Sequence, residues 1–347
     1  MRKTLVLIFS LLLMFSLAAC SSEESTSNVS TDSGGFKEME IILSHNQPIE
    51  SPEHTGATKF KEVIEEKTEG KVKVSIFPAS QLGGLREQVE GTQIGEINIT
   101  MQPTAVVSPF VDDIKVVDLP YLWPANKEQM YEVLDGDVGK ELLVTLEKGG
   151  FKGLGYWPGG FKLFTTGEKE IHKPEDFKGL TMRVMESPIL IEQYVNWGGN
   201  AIPVPYAEVY NSLQQGVVDG QENPLQTIYL NNYHEVQKNI IESYHGVMTY
   251  VLMANKGWFD GLSEELKELI IEAEVEGHTA ARERLAEVEG EYVQKIKESG
   301  VNYYTLTDEE INEFKNASLP MHKEVYSKPE QLELLDKLYK EMENAQK

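Results

Sequence analysis

From residue 36 onward, short apolar runs of period two alternate with longer runs of helical period, and this alternation restricts the fold more than any other feature of the chain. Residues 36–43 read as a strand and 52–69 as a helix with Phe60, Val63 and Ile64 on its apolar face. KVKVSIFP (71–78) alternates as a strand, Gly83-Gly84 turns into a helix carrying Leu85, Val89 and Ile94, and INITMQ (97–102) is a short strand. Strand and helix in turn predict an α/β unit with a largely parallel sheet. A helix is expected over 127–148, stopped by Gly149-Gly150, with FKGLGYW opening the next strand. A second α/β unit then reads as strand 181–185, helices 188–197 and 205–215, and strand 217–221. The apolar, β-rich stretch 247–255 carries the chain back into the first sheet.

Ser263 caps a helical stretch, with Glu264 and Glu265 in its first turn, that continues to about Ser299 with Gly277 and Gly290 as its weak points. A helix of about 35 residues spans about 50 Å, long enough to bridge both units. A short strand near 301–305, a helix capped at Thr307 and an acidic C-terminal helix follow.

At the other end, Arg2 and Lys3 precede an apolar stretch from Leu5 to Phe15 broken only by Ser10, then Leu17-Ala18-Ala19-Cys20. This pattern predicts a secretory signal over residues 1–19; it lacks both the periodicity of a buried amphipathic helix and the roughly 20 apolar residues of a membrane span. Leu-Ala-Ala-Cys resembles the bacterial lipobox, whose cysteine receives a diacylglyceryl group and becomes the mature N-terminus. The chain's single cysteine falls at that position, which favours a lipid on Cys20 over a free exported thiol. Residues 20–35 hold no aromatic and only Val29 to bury, so they read as a flexible tether.

Composition narrows the function classes. Against 32 Lys and Arg stand 56 Asp and Glu, a formal charge of -24, so nucleic acid would meet a repulsive field. One cysteine excludes an intramolecular disulfide and a multi-cysteine zinc site. There is no G-x-S-x-G elbow, Walker loop, H-E-x-x-H or G-x-G-x-x-G after a strand, and no cofactor or metal is expected. Asp135-Gly136-Asp137 starts like a calcium loop but has Leu146 where the bidentate glutamate belongs.

Two polar residues stand out in the second unit. Arg183 lies in an apolar strand between Met182 and Val184, where a buried guanidinium needs an anion, either a ligand's or an internal one such as Glu208 or Glu222. Asn223 precedes Pro224, whose ring pushes it towards an extended conformation. Ligands of α/β sheets lie beyond the carboxyl ends of strands, where both residues are expected.

The runs GLTMRVMESP (179–188) and GGNAIPVPYAEVYNSLQQGVVDGQENPLQTIYLNNYHEVQK (198–238), with ASQLGGLREQVEGTQIGEINIT (79–100) and DLPYLW (118–123), resemble the substrate-binding proteins of tripartite ATP-independent periplasmic (TRAP) transporters, the DctP-like family. The resemblance covers nearly the whole mature chain. It implies a two-domain α/β flytrap of the periplasmic-binding-protein type, each domain discontinuous in sequence, with the long helix spanning both. The implied domains are 36–159 plus 249–288 and 160–248 plus 289–347. It also implies a ligand carboxylate held by the arginine of G-x-x-x-R-V, here Arg183, as a planar fork suits, with Asn223 of QENP donating to the same group. A second family arginine falls on Lys162 in GGFKLFT, which keeps the charge and gives up the fork. Tyr206 either packs on the ligand or belongs to the core. His45, Trp157, Gln102 and Gln221 are each ligand contacts or structural, and Arg86 in QLGGLRE is expected to fix its loop.

The reading that results is an extracytoplasmic, lipid-anchored protein that captures a small carboxylate-bearing acid, such as a C4-dicarboxylate, and delivers it to TRAP permease subunits without catalysis. A ligand-presenting sensor for a receptor kinase would use the same fold. An exported hydrolase or lyase would need a general acid or base that the motifs do not offer, and an ABC-type binding protein is opposed by DGQENP.

Overall fold

In a computed structural model, which describes residues 35–345, nine strands of the described chain join in one sheet. They are β1 (Met39–His45), β2 (Val72–Phe77), β3 (Ile99–Pro103), β4 (Phe151–Thr166), β5 (Thr181–Val184), β6 (Asn200–Pro203), β7 (Gly220–Pro224), β8 (Asn239–Asn255) and β9 (Asn302–Thr305). Their order is β2-β1-β3-β8-β4-β7-β5-β6, with β9 paired to β8. β1 runs parallel to β2 and β3, and β5 to β6 and β7, so both expected parallel sets form. Between them β4 and β8, 16 and 17 residues long, run antiparallel to each other and to β7 and β3, while β9 runs parallel to β8. The signal segment, Cys20 and the tether up to residue 34 lie outside the described residues.

FKGLGYW, expected to open a strand, is the first part of β4, which continues to Thr166. The register shifts between Pro158 and Gly160, and pairing with β8 resumes beyond it. Gly160 takes φ +91°, and a Cβ on Gly159 would lie 2.4 Å from the Met248 carbonyl oxygen, so glycine is required at this bulge.

Three expectations are corrected. The helix over 127–148 is two helices, Lys127–Asp135 and Asp137–Thr145, because Gly136 is extended (φ -76°, ψ -171°). Asp135 next to the break accepts two hydrogen bonds from Arg282, at 2.6 and 2.9 Å; among the described residues no group of three or more His, Cys, Asp or Glu is placed to hold a metal. The strand over 217–221 starts at Gly220, since Asp219 clamps Thr181 through both its N–H (2.8 Å) and its carboxylate (2.7 Å). Asn223 therefore sits inside β7 rather than after it. The helix over 205–215 shortens to Val209–Gln214 behind a tight turn at Tyr206–Glu208.

The long helix runs from Glu264 to Glu298, capped by Ser263 Oγ accepting from the Leu266 N–H. Leu266, Leu269, Ile270, Ala273 and Ala281 join a large core that takes in β1–β3 and continues to Phe164, Met182 and Trp197, whereas Val288, Tyr292 and Ile296 join a second cluster with Leu213, Ile228 and Tyr233. One element thus serves both cores. Gly277 lies where this helix crosses the Pro52–Lys67 helix at Gly56, with the Trp157 ring wedged against both glycines.

Candidate functional site

Arg183 of β5 is in register with Gln221 of β7, and the two-residue period of β7 places Asn223 on the same face and Glu222 on the other. Arg183 is 2% exposed, yet among the described residues no carboxylate lies within ion-pair distance of it. Its Nε and Nη2 donate to the Val204 carbonyl at 3.0 and 2.9 Å, which leaves guanidinium N–H groups without an acceptor among the described residues. They border a cavity of about 290 Å³ lined by Gly84, Arg86, Val106, Arg183, Val204 and Tyr206, a volume at the small end for ligand sites. A larger cavity of about 440 Å³ involves Lys127, Tyr244 and Glu289, but Lys127 is already paired with Glu289 at 2.5 Å.

Glu222 explains why Arg183 has no internal partner. Its Oε1 accepts from Lys162 Nζ at 2.8 Å, and its Oε2 from Gln193 Nε2 at 2.8 Å, Tyr194 OH at 2.9 Å and His245 Nε2 at 2.9 Å. Burial alone would raise the Glu222 carboxyl, but Lys162 and His245 hold it well below its ordinary value. Lys162, in register with Pro224, is thereby committed to Glu222; it lines the larger cavity and not the one at Arg183. Glu208, the other internal candidate, is exposed.

The remaining expected residues separate. Asn223 Nδ2 donates to Gln221 Oε1, Gln221 Nε2 to Thr165 Oγ1 (3.0 Å) and Thr165 to Gln237 (3.0 Å), a buried chain along one face. Tyr206 lines the cavity and its hydroxyl accepts from Asn231 (2.8 Å). Gln102 Nε2 donates to Gln88 and Thr100, leaving its Oε1 buried and without a partner. His45 is tied to His54 (3.0 Å) and to the Gln47 N–H (3.2 Å); burial and His54 push it down to about 3, so it is neutral. Trp157 turns away from the cavity, donating to Glu274 at 3.0 Å within the helix crossing. Arg86 pairs with Glu90 and Glu186 across the cavity mouth, consistent with fixing its loop.

Sequence reasoning did not single out Asn46, Gln47, Glu53 or Tyr250. Asn46 Oδ1, Gln47 Oε1 and Glu53 Oε2 are buried without hydrogen-bond partners among the described residues, and Gln47 Nε2 donates to Tyr250 OH at 2.5 Å. Burial pushes the Glu53 carboxyl up to about 7, against hydrogen bonds at its own N–H, Gln226 and Ser51. An acid in the first turn of a helix reads as a partner of the helix dipole, which hides it.

With this geometry in place, the pattern defining bacterial extracellular solute-binding protein family 7, DctP, matches residues 43–329. The chain belongs to this family. This family 7 protein is 34% identical over 287 residues to the C4-dicarboxylate-binding periplasmic protein DctP of Rhodobacter capsulatus, covering 82% of this chain and 86% of the relative. It matches a TRAP periplasmic solute binding protein from Desulfovibrio salexigens, solved with bound orotic acid, at TM-score 0.85 and 33% identity, over 88% of this chain and 99% of that one. A sugar acid binding protein from Advenella mimigardefordensis, in complex with galactonate, matches at TM-score 0.84 and 30% identity, over 89% and 99%. The mixed sheet with its flanking helices is the two-domain fold of the TRAP solute-binding proteins.

Proposed function

We propose that this protein captures a small organic acid on the extracytoplasmic side of the membrane and delivers it to a TRAP-type permease, performing no catalysis. The observation that carries the ligand class is Arg183, a buried guanidinium with N–H groups unused by the protein, bordering a cavity of small-acid size. Relatives that bind a C4-dicarboxylate, orotic acid and galactonate support a carboxylate as the shared feature. Asn223 reaches the same carboxylate from β7, and Lys162 serves it indirectly by neutralising Glu222. The lobes are 36–159 plus 249–288 and 160–248 plus 289–347, hinged where the β4 register shifts.

A thermal-shift screen of the mature protein against organic acids tests this reading. An acid at 100 times its Kd adds about 2.7 kcal/mol, and the shift it produces should vanish in Arg183→Ala, whose affinity falls by about 2 to 5 kcal/mol. A folded alanine variant with wild-type affinity would remove Arg183 from the site.

The membrane attachment we propose is a lipid on Cys20, supported by the lipobox-like Leu17-Ala18-Ala19-Cys20. Cys20→Ser should move the protein from the membrane fraction to uncleaved precursor or shed protein, and unmodified, soluble Cys20 protein outside the cell would contradict the anchor.

A further inference from the structure

Arg86 stands in the first turn of the Leu85–Ile94 helix, and Glu186 in the bend after β5. Far apart in sequence, their side chains meet, with Arg86 Nη1 3.6 Å from Glu186 Oε2. Both residues line the cavity of about 290 Å³ at Arg183. Among the described residues this is the one ion pair whose two members both border that cavity.

The loop that carries Arg86 does not need Glu186. Arg86 Nε already donates to Glu90 Oε1 on its own helix at 2.9 Å, and the guanidinium lies 5.1 Å from the centre of the Phe110 ring. Both contacts stay within residues 36–159. The contact with Glu186 leaves that stretch and reaches the other proposed lobe, just past the anchor Arg183.

Lys127 and Glu289, paired at 2.5 Å, also join the two stretches, but at a different place. They line the larger cavity together with Gly160 of the β4 bulge. No residue of β4 or β8 lines the cavity that Arg86 and Glu186 border. A rotation of the lobes about the bulge displaces atoms beside it least and atoms away from it most, so opening separates Arg86 from Glu186 before it disturbs Lys127 and Glu289.

We propose that the Arg86–Glu186 ion pair is a latch on the ligand cleft, formed when the lobes close over the cavity and broken when they open, which slows the escape of a bound acid without touching it. This deepens the function proposed above and rests on its two lobes and on Arg183 as the carboxylate anchor. The side chains keep 46% and 48% of their exposure, so the latch has the modest strength of a surface pair and weakens as salt is added. A closure of that strength delays release and still lets the cleft open.

Stopped-flow release rates on the full mature chain, with succinate, orotate and galactonate as probes, read the latch through a double-mutant cycle. For each probe that binds, Glu186→Gln and Arg86→Gln should each speed release about two- to fivefold at low salt. The two effects should not multiply in the double variant, and both should shrink at high salt. Lys127→Gln, beside the bulge, should release at the wild-type rate. Unchanged release in both single variants overturns the latch, as do effects that multiply in the double variant, which would make Arg86 a direct ligand contact. Arg183→Ala separates the two levels. If it abolishes binding of the probes while the cycle shows no coupling, only the latch falls; if it leaves binding intact, or the wild type binds none of the three, the anchor falls and the latch with it.

Discussion

Arg183 remains available to a ligand because Lys162 has already claimed Glu222, so the pair is a stability device that also protects the site. Removing the carboxylate while keeping its shape takes from the buried Lys162 ammonium its ion-paired carboxylate. Glu222→Gln should therefore cost about 3 to 5 kcal/mol in urea unfolding at pH 7. A carboxyl held below its unfolded value adds stability that is present above that value, near 4.5, and is lost as the pH falls. The gap between Glu222→Gln and wild type should narrow below pH 4.5. Asp118, which accepts from Thr104 at 2.9 Å, has the opposite sign: burial raises it to about 6 against the pull of Lys162. Its favourable contribution is present below about 3.8 and is lost as the pH rises through 6, so Asp118→Asn should gain on wild type across that window, by about 3 kcal/mol at most. Gaps that do not move with pH in these directions would mean that the buried carboxyls are not held as the contacts describe.

At the scale of elements, the two glycines of the long helix separate packing from propensity. Alanine should gain about 1 kcal/mol of intrinsic helix propensity at either position. At Gly290 a Cβ meets nothing within 4 Å, so Gly290→Ala should raise the Tm. At Gly277 it would lie 2.9 Å from Trp157 and 3.0 Å from the Gly56 carbonyl oxygen, and overpacking of this kind costs about 1 to 3 kcal/mol. Gly277→Ala should lower the Tm, and equal stabilisation by both substitutions would contradict the tight crossing. From sequence both read only as weak points, since a crossing between residues far apart in the chain leaves no local trace. The strands and helices themselves were largely legible because their periods differ. The central joint was not, because FKGLGYW marks only the start of β4 and nothing local shows that pairing with β8 resumes beyond the bulge at Pro158-Gly159-Gly160. The same contrast holds in the site. Arg183 was legible as a cation in an apolar strand and Asn223 through its proline, whereas Glu53 was masked by its place at a helix start, and nothing local shows that Trp157 turns towards the Glu264–Glu298 helix.

For the whole molecule, a formal charge of -24 should repel anions at long range. Screening at physiological salt confines that field to roughly 8 Å, so on the function proposed above the guanidinium at the cavity decides the outcome for a bound acid. A carboxylate fastened to Arg183 gives the lobe carrying β1–β3 a surface to close on, and a ligand shifts the population towards closure only by its differential affinity for the closed state. The central claim is that this carboxylate is what the protein recognises. Small-angle scattering of the mature protein with the most stabilising acid from the screen, and with the primary amide of that acid, tests it most directly. The free acid should reduce the radius of gyration and the amide should leave it unchanged, although the amide removes the anion that an acidic protein repels. Equal compaction with both would show that Arg183 is a structural residue and that the ligand is recognised elsewhere in the cleft.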